Sequence, residues 1–216
     1  MNLSSDLRVR LNKWCADNAA NICKSLLLED GIHKNLSTMD SINQNQPEDN
    51  KENLISQEAW TKIKEQIALS DTCFFCTEAA TGPSAGVRPM SIQQADDEGN
   101  LWLMIANDSH TYQEVGVDSR VKLYFQGSKH SDFMYLTADA LIHHDKEKIK
   151  ELWNPLLKTW FTEGEDDPRI AVLKVRPSAG YYWDNKHGNF VAGVKMMVGA
   201  AIGKTLDDSI EGKLKI

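Results

Sequence analysis

The sequence predicts a mainly β fold with flanking helices (α+β), and three observations support that class. Six short segments rich in Val, Ile, Phe, Tyr and Leu follow one another after residue 71, separated by Gly, Pro, Asp and Asn. Turn signals such as Gly82-Pro83 join neighbouring segments, and short turns favour an antiparallel sheet or barrel. The pattern before residue 56 is different, with an amphipathic helix and then a polar stretch.

The six candidate strands are residues 72–79, 84–95, 100–106, 120–126, 131–143 and 169–176. Arg88-Pro89-Met90 lies in the middle of the second candidate. Because proline has no N–H group and is disfavoured in central strands, we expect this strand at an edge of the sheet or locally irregular.

Three helices are predicted next to these strands. One begins at Ser56, a favourable N-cap; a second follows Ser109 and ends near Val117; a third begins near Asp145. Pro155 interrupts the third, so we expect a kink there, or a restart with Asn154 as the cap. The apolar stripe of this third region, which we expect in the core, consists of Ile149, Leu152, Trp153, Leu156, Leu157 and Trp160.

The chain divides into three predicted parts. Residues 1–55 form an N-terminal helix plus a polar linker, residues 56–195 form the β domain, and residues 196–216 form a tail that packs on the barrel or on a dimer. The N-terminal helix is interpreted first as a packing arm and second as a partner-binding segment.

Composition narrows the functional class. With 31 acidic and 24 basic residues the formal net charge is −7, and no basic run suggests nucleic-acid binding. No apolar run is long enough for a membrane span or a signal peptide, so we expect a soluble, cytoplasmic protein.

Cys73 and Cys76 have the C-x-x-C spacing of a metal or redox site. They fall in a candidate strand, where residues three apart point to opposite faces and cannot easily share a metal or a disulfide. With no second cysteine pair at zinc spacing, we predict no metal site and interpret both as buried structural cysteines.

The residues that suggest a binding site lie on two candidate strands and at the start of the helix that follows them. Arg88 beside Met90 would suit an anionic, partly aromatic ligand. Ser109 can cap the next helix, whose N–H groups and dipole attract phosphate, with His110 and Thr111 adding a possible cation and a hydroxyl. Taken alone, this pattern is weak.

Four motifs follow one another along the chain: G-V-R-P-M at residues 86–90, N-L-W-L at 100–103, E-L-W-N-P-L at 151–156 with W-F and D-D-P following, and V-R-P at 175–177 with Y-Y-W-D at 181–184. In this order they resemble the general stress protein branch of the pyridoxamine 5'-phosphate oxidase-like split barrels. The last five residues, G-K-L-K-I, also resemble that family's tail. The resemblance spans roughly residues 55–216.

This resemblance implies a six-stranded antiparallel split β-barrel that forms a homodimer, with FMN, or FAD as the second candidate, at the dimer interface. The residues implied to line the ring and ribityl chain are Arg88, Pro89, Met90, Ser91, Met104, Ile105 and Ala106. The residues implied for the phosphate are Ser109, His110 and Thr111, where Thr111 stands in place of the family's Lys. Trp183 would approach the flavin from the partner chain; the alternative interpretation of Trp183 is a core or interface anchor.

Three functions remain open from the sequence. The first is a flavin-dependent oxidoreductase of an unknown small substrate, with no catalytic residue identified and vitamin B6 oxidation not expected. The second is a flavin-binding or flavin-sequestering protein without turnover. The third is a scaffold without a cofactor that uses its N-terminal arm to bind a partner.

Overall fold

The structure is a computed structural model and describes residues 50–129, 131–186 and 208–216. The predicted N-terminal helix, most of its linker, and part of the C-terminal tail lie outside these residues. The strands are β1 (Leu54–Ile55), β2 (Thr72–Thr77), β3 (Val87–Ser91), β4 (Gln94–Ala95), β5 (Leu101–Ala106), β6 (Arg120–Gln126), β7 (Phe133–His143), β8 (Ile170–Asn185) and β9 (Ser209–Lys215). The helices are α1 (Gln57–Leu69), α2 (His110–Val117) and α3 (Lys146–Leu152), with 3-10 turns at Pro155–Thr159 and Gly164–Asp166.

The nine strands of the described residues form one sheet, mainly antiparallel. Its pairing order is β1-β9-β8-β7-β6-β2-β3, and β5 pairs with both β8 and β4. The path has free ends at β1 and β3 rather than a closed ring of paired strands. β3 pairs with β2 alone, which confirms the edge position predicted from Pro89.

The predicted count of six strands is wrong for this sheet. β1 has two residues, too few to show an alternating pattern, and the predicted strand 84–95 is two strands, β3 and β4. β9 was missed because Gly212 interrupts its apolar positions; a Cβ there would collide with the carbonyl oxygen of Glu52, so only glycine permits this close approach. β8 continues past Pro177, where the register with β7 shifts between Thr137 and Ala138.

The helices follow the sequence pattern more closely than the strands do. Ser109 caps α2 by accepting a hydrogen bond from the Tyr112 N–H, and Asn154 restarts the chain as a 3-10 turn by accepting one from the Leu156 N–H. Ser56 precedes α1 as predicted, but its side chain makes no cap hydrogen bond. Its backbone has φ of 52° and its N–H donates to the Lys215 carbonyl of β9, which fixes it as part of the sheet edge.

The core consists of two apolar clusters on opposite faces of β5. Leu101, Leu103 and Ile105 belong to the larger cluster, together with α1 and strands β2, β6, β7 and β8. Trp102 belongs to the smaller cluster, which α3 and the following 3-10 turn complete. Successive side chains of β5 point to opposite faces of the sheet, so neighbouring residues belong to different clusters.

Within the described ranges, no helix has the length and apolar character needed to cross a membrane.

Candidate functional site

Two adjoining clefts meet at β2 and β3, near the end of the sheet that β3 forms. Thr72 and Pro89 border both of them. The first, which we call the aromatic cleft, has a volume of about 540 Å³. Its rings are Phe74, Phe125, Tyr124, Phe133, Tyr135 and Trp183.

The second, which we call the methionine cleft, has a volume of about 520 Å³ and lies between β3, β5 and the chain around the first 3-10 turn. Six predicted site residues line it: Pro89, Met90, Ser91, Met104, Ile105 and Ala106. They come from two strands that are not hydrogen-bonded to each other, and the fold brings them to one surface. Its size and mainly apolar lining are typical of a small-molecule site.

Sequence reasoning missed five residues of the methionine cleft: Thr72, Gln93, Leu157, Trp160 and Phe161. The stripe that contains Leu157 and Trp160 was predicted to be core. Leu157 is buried, but Trp160 is 67% exposed and Leu156 is 78% exposed, so the prediction is wrong for those two. Pro155 could have indicated this exposure, because a break in a helix changes the direction in which the side chains after it point.

Arg88 does not line the methionine cleft and reaches instead into a polar cluster with α2. Its Nη1 donates to Thr111 Oγ1 at 2.8 Å and its Nη2 donates to Glu114 Oε2 at 2.5 Å. Glu114 also accepts hydrogen bonds from the Thr77 hydroxyl at 2.7 Å and from the Thr81 N–H at 2.7 Å. We call these five residues the Glu114 cluster.

Glu114 is fully buried, at 0% exposure. Burial on its own would raise the pKa of this carboxyl. The hydrogen bonds from Thr81, Thr77 and Arg88, together with the Arg88 charge, outweigh burial and lower its pKa to about 2. Sequence reasoning did not identify this residue as part of a site, although Thr111 and Glu114 are three apart and therefore share one face of α2.

The three residues predicted for the phosphate do not line either cleft. Ser109 Oγ donates to the Ala106 carbonyl at 2.6 Å while it caps α2. Thr111 is buried and bonded to Arg88. His110 is exposed, with its Nδ1 3.2 Å from the Thr81 hydroxyl.

Trp183 lies on β8 in the aromatic cleft and is 42% exposed. It sits among other rings, with centroid distances of 4.8 Å to Tyr181 and 6.2 Å to Tyr135. Phe74 and Tyr124, paired across β2 and β6, are 58% and 44% exposed on the same cleft. Exposed aromatic rings that cluster on one face are typical of an interaction surface.

The two described cysteines are free thiols on opposite sides of β2. Cys73 is buried, and that burial raises the pKa of its thiol to about 12. Cys76 is only half-buried, so the prediction that both are buried is wrong for Cys76. In the parts of the chain that the structure describes, no group of three or more His, Cys, Asp or Glu side chains could hold a metal ion.

Comparison with known proteins places the fold. A family model described as pyridoxamine 5'-phosphate oxidase like matches residues 58–207, which is more than half of the chain. A crystal structure from Jannaschia sp. CCS1, described as of the general stress protein 26 type, has a TM-score of 0.61 at 18% identity and covers 72% of this chain and 97% of that one. This likeness shows the fold alone.

Among curated proteins, this chain is similar to protein bli-3 of Neurospora crassa. The two are 26% identical over 102 residues, which is 41% of this chain and 47% of the relative. The chain therefore spans about half the length of that relative.

Proposed function

Because the chain belongs to the pyridoxamine 5'-phosphate oxidase-like family, we propose that it binds a flavin in the methionine cleft, with FMN as the first candidate and FAD as the second. The single observation that carries this proposal is that six predicted ring-contacting residues, from two separate strands, line one apolar cleft of about 520 Å³. In this interpretation the sheet is the family's split barrel, open at β3, where the cleft lies.

The lining of the cleft fits a flat heteroaromatic ring. Met90, Met104 and Ile105 offer polarisable and aliphatic contacts, and Trp160 offers an aromatic face at the rim. Ser91 and Gln93 add polar groups at one side, of which the Gln93 side chain is held by the Asn154 amide at 2.9 Å. Few polar groups within an apolar surface are the usual means of orienting such a ligand.

A pair of matched variants tests whether the flavin binds in the methionine cleft. Ala106→Trp fills the methionine cleft, and Ala68→Trp adds the same side chain to the exposed face of α1, outside both clefts. We expect Ala106→Trp to abolish flavin binding in a fluorescence titration and Ala68→Trp to leave it unchanged. Equal flavin affinities for the two variants, with both folded, would place the flavin elsewhere.

For activity, we propose a flavin-dependent oxidoreductase that acts on a small substrate. A bound flavin supplies hydride or electron transfer, and the protein binds, orients and shields it. Among the described residues that line the methionine cleft, none titrates, so this chain contributes position and water exclusion there rather than an acid or base. Anaerobic bleaching of the bound flavin by NAD(P)H supports turnover, whereas an unbleached flavin favours storage or sensing.

We further propose that a second copy of this chain covers the aromatic cleft. Phe74, Tyr124 and Trp183 remain exposed there, and water contact with so many rings is unfavourable. Because Thr72 and Pro89 border both clefts, a partner on the aromatic cleft would lie beside the flavin. Tyr124→Glu should convert a dimer into a monomer in light scattering; a wild-type monomer at working concentration would contradict the proposal.

A further inference from the structure

We propose that this cleft holds the flavin by its ring alone: Glu114 neutralises Arg88, so the phosphate adds little affinity and riboflavin binds about as well as FMN. This inference rests on the proposed flavin binding and deepens it. It assigns Glu114 as the residue that sets ligand specificity, acting through Arg88.

The first observation is the charge of the clefts. No Lys, Arg or His among the described residues lines the methionine cleft or the aromatic cleft. A phosphomonoester carries a charge of roughly −1.5 to −2 at neutral pH. Such a group gains affinity from charge-assisted hydrogen bonds, and the described lining offers it no cation.

The second observation is the state of Arg88. It lies two residues before Met90 on the same side of β3, about 7 Å from Met90 along the strand, and its neighbour Pro89 lines the cleft, so we expect a phosphate extending from the ring to approach it. Its side chain is only 16% exposed, and its two terminal nitrogens already donate to Thr111 and Glu114.

The third observation is that breaking the Arg88–Glu114 ion pair is energetically unfavourable. Glu114 is completely buried and is held by Thr77 and Thr81 as well as by Arg88. A phosphate that took Arg88 away would leave a buried carboxylate without its cation, which is strongly unfavourable. The pair therefore presents no net charge to the ligand, and neutral Thr111 does not restore one.

The test compares riboflavin with FMN on the full-length protein at about pH 8, where the phosphate is a dianion. Ring fluorescence gives both dissociation constants for the wild type, for Glu114→Gln, and for the double variant Arg88→Met/Glu114→Gln. Glu151→Gln is the matched control, because it removes an exposed carboxylate paired with Lys148. Thermal melting of each variant verifies that it is folded.

We expect riboflavin and FMN to bind the wild type within about threefold, and Glu114→Gln to favour FMN by about tenfold, because Arg88 regains an uncompensated charge. The double variant and the Glu151→Gln control should return to the wild-type ratio. FMN affinity of the wild type should also change little between about 50 mM and 500 mM salt, since no net charge is engaged. This last measurement needs no variant.

Two results would overturn the inference in distinguishable ways. If the wild type binds FMN more than about tenfold tighter than riboflavin, with strong salt dependence, the phosphate is engaged and this inference fails, while the proposed flavin binding stands. If neither riboflavin nor FMN binds, the proposed function fails and this inference fails with it.

Discussion

The methionine cleft and the Glu114 cluster are neighbours on β3, yet their physical character is opposite. Met90 faces an apolar cleft with no charged lining residue among those described, while Arg88, two residues earlier, donates hydrogen bonds to Thr111 and Glu114 of α2. The difference arises from what packs on the strand: β5 and a 3-10 turn at one end, and a polar helix face at the other. In such a site, the residues that contact the ligand are different from the residues that stabilise the fold.

Replacing Glu114 should reduce stability more than any substitution in the methionine cleft. Glu114→Ala leaves Arg88 largely buried without its partner, so we expect the free energy of unfolding to fall by about 3–5 kcal/mol. Urea denaturation measures this. Glu151→Ala, which removes an exposed carboxylate, should leave the unfolding midpoint unchanged. Comparable losses for both variants would show that the cluster is not a stabilising unit.

The pH dependence of stability sharpens the same contrast. The pKa of Glu114 is lowered to about 2 in the folded protein, so its contribution is present above its unfolded pKa and is lost as the pH falls towards 2. Wild type should therefore lose about 3 kcal/mol more than Glu114→Gln between about pH 5 and pH 2. Parallel acid unfolding curves for the two proteins would contradict this assignment.

Substitution of Trp160 tests whether the rim of the methionine cleft contributes to flavin binding. Trp160→Ala should weaken flavin binding about tenfold with little change in stability, because the ring is 67% exposed and lines the cleft. Leu156→Ala is the matched control, since Leu156 is exposed on the same segment but does not line the cleft. Titration of both variants with one flavin measures the effect, and equal affinities would remove Trp160 from the site.

His110 should give the smallest effect. It is exposed, bonds to Thr81 and does not line either cleft, so His110→Ala should change flavin affinity by less than about twofold. Flavin titration at low salt measures this change. A loss of tenfold or more would mean that the phosphate reaches the start of α2.

Local patterns predicted the elements of this fold better than their pairing. Pro89 indicated the edge strand because a residue without an N–H is disfavoured in a central strand, and Ser109 indicated the start of α2 because its side chain serves as the cap. β9 could not be recognised, since Gly212 is required by the close approach of Glu52, a contact between residues distant in sequence.

The candidate site, too, could be predicted from the sequence only in part. The two strands that line the methionine cleft carry motifs of fixed order, so the resemblance named Met90, Met104 and their neighbours. The Glu114 cluster depends on a helix folding against a strand edge and a loop, and no spacing in the sequence indicates that a glutamate there is buried. Whether the named residues bind a flavin stays a prediction.

The most direct test of flavin binding is to identify the small molecule released from protein purified in its native state. We predict that denaturation of the full-length protein releases a flavin, identified by its mass as riboflavin, FMN or FAD, and that the stripped protein rebinds it. Protein that is colourless as purified, releases no flavin and takes up none of the three when they are added would contradict the proposed function.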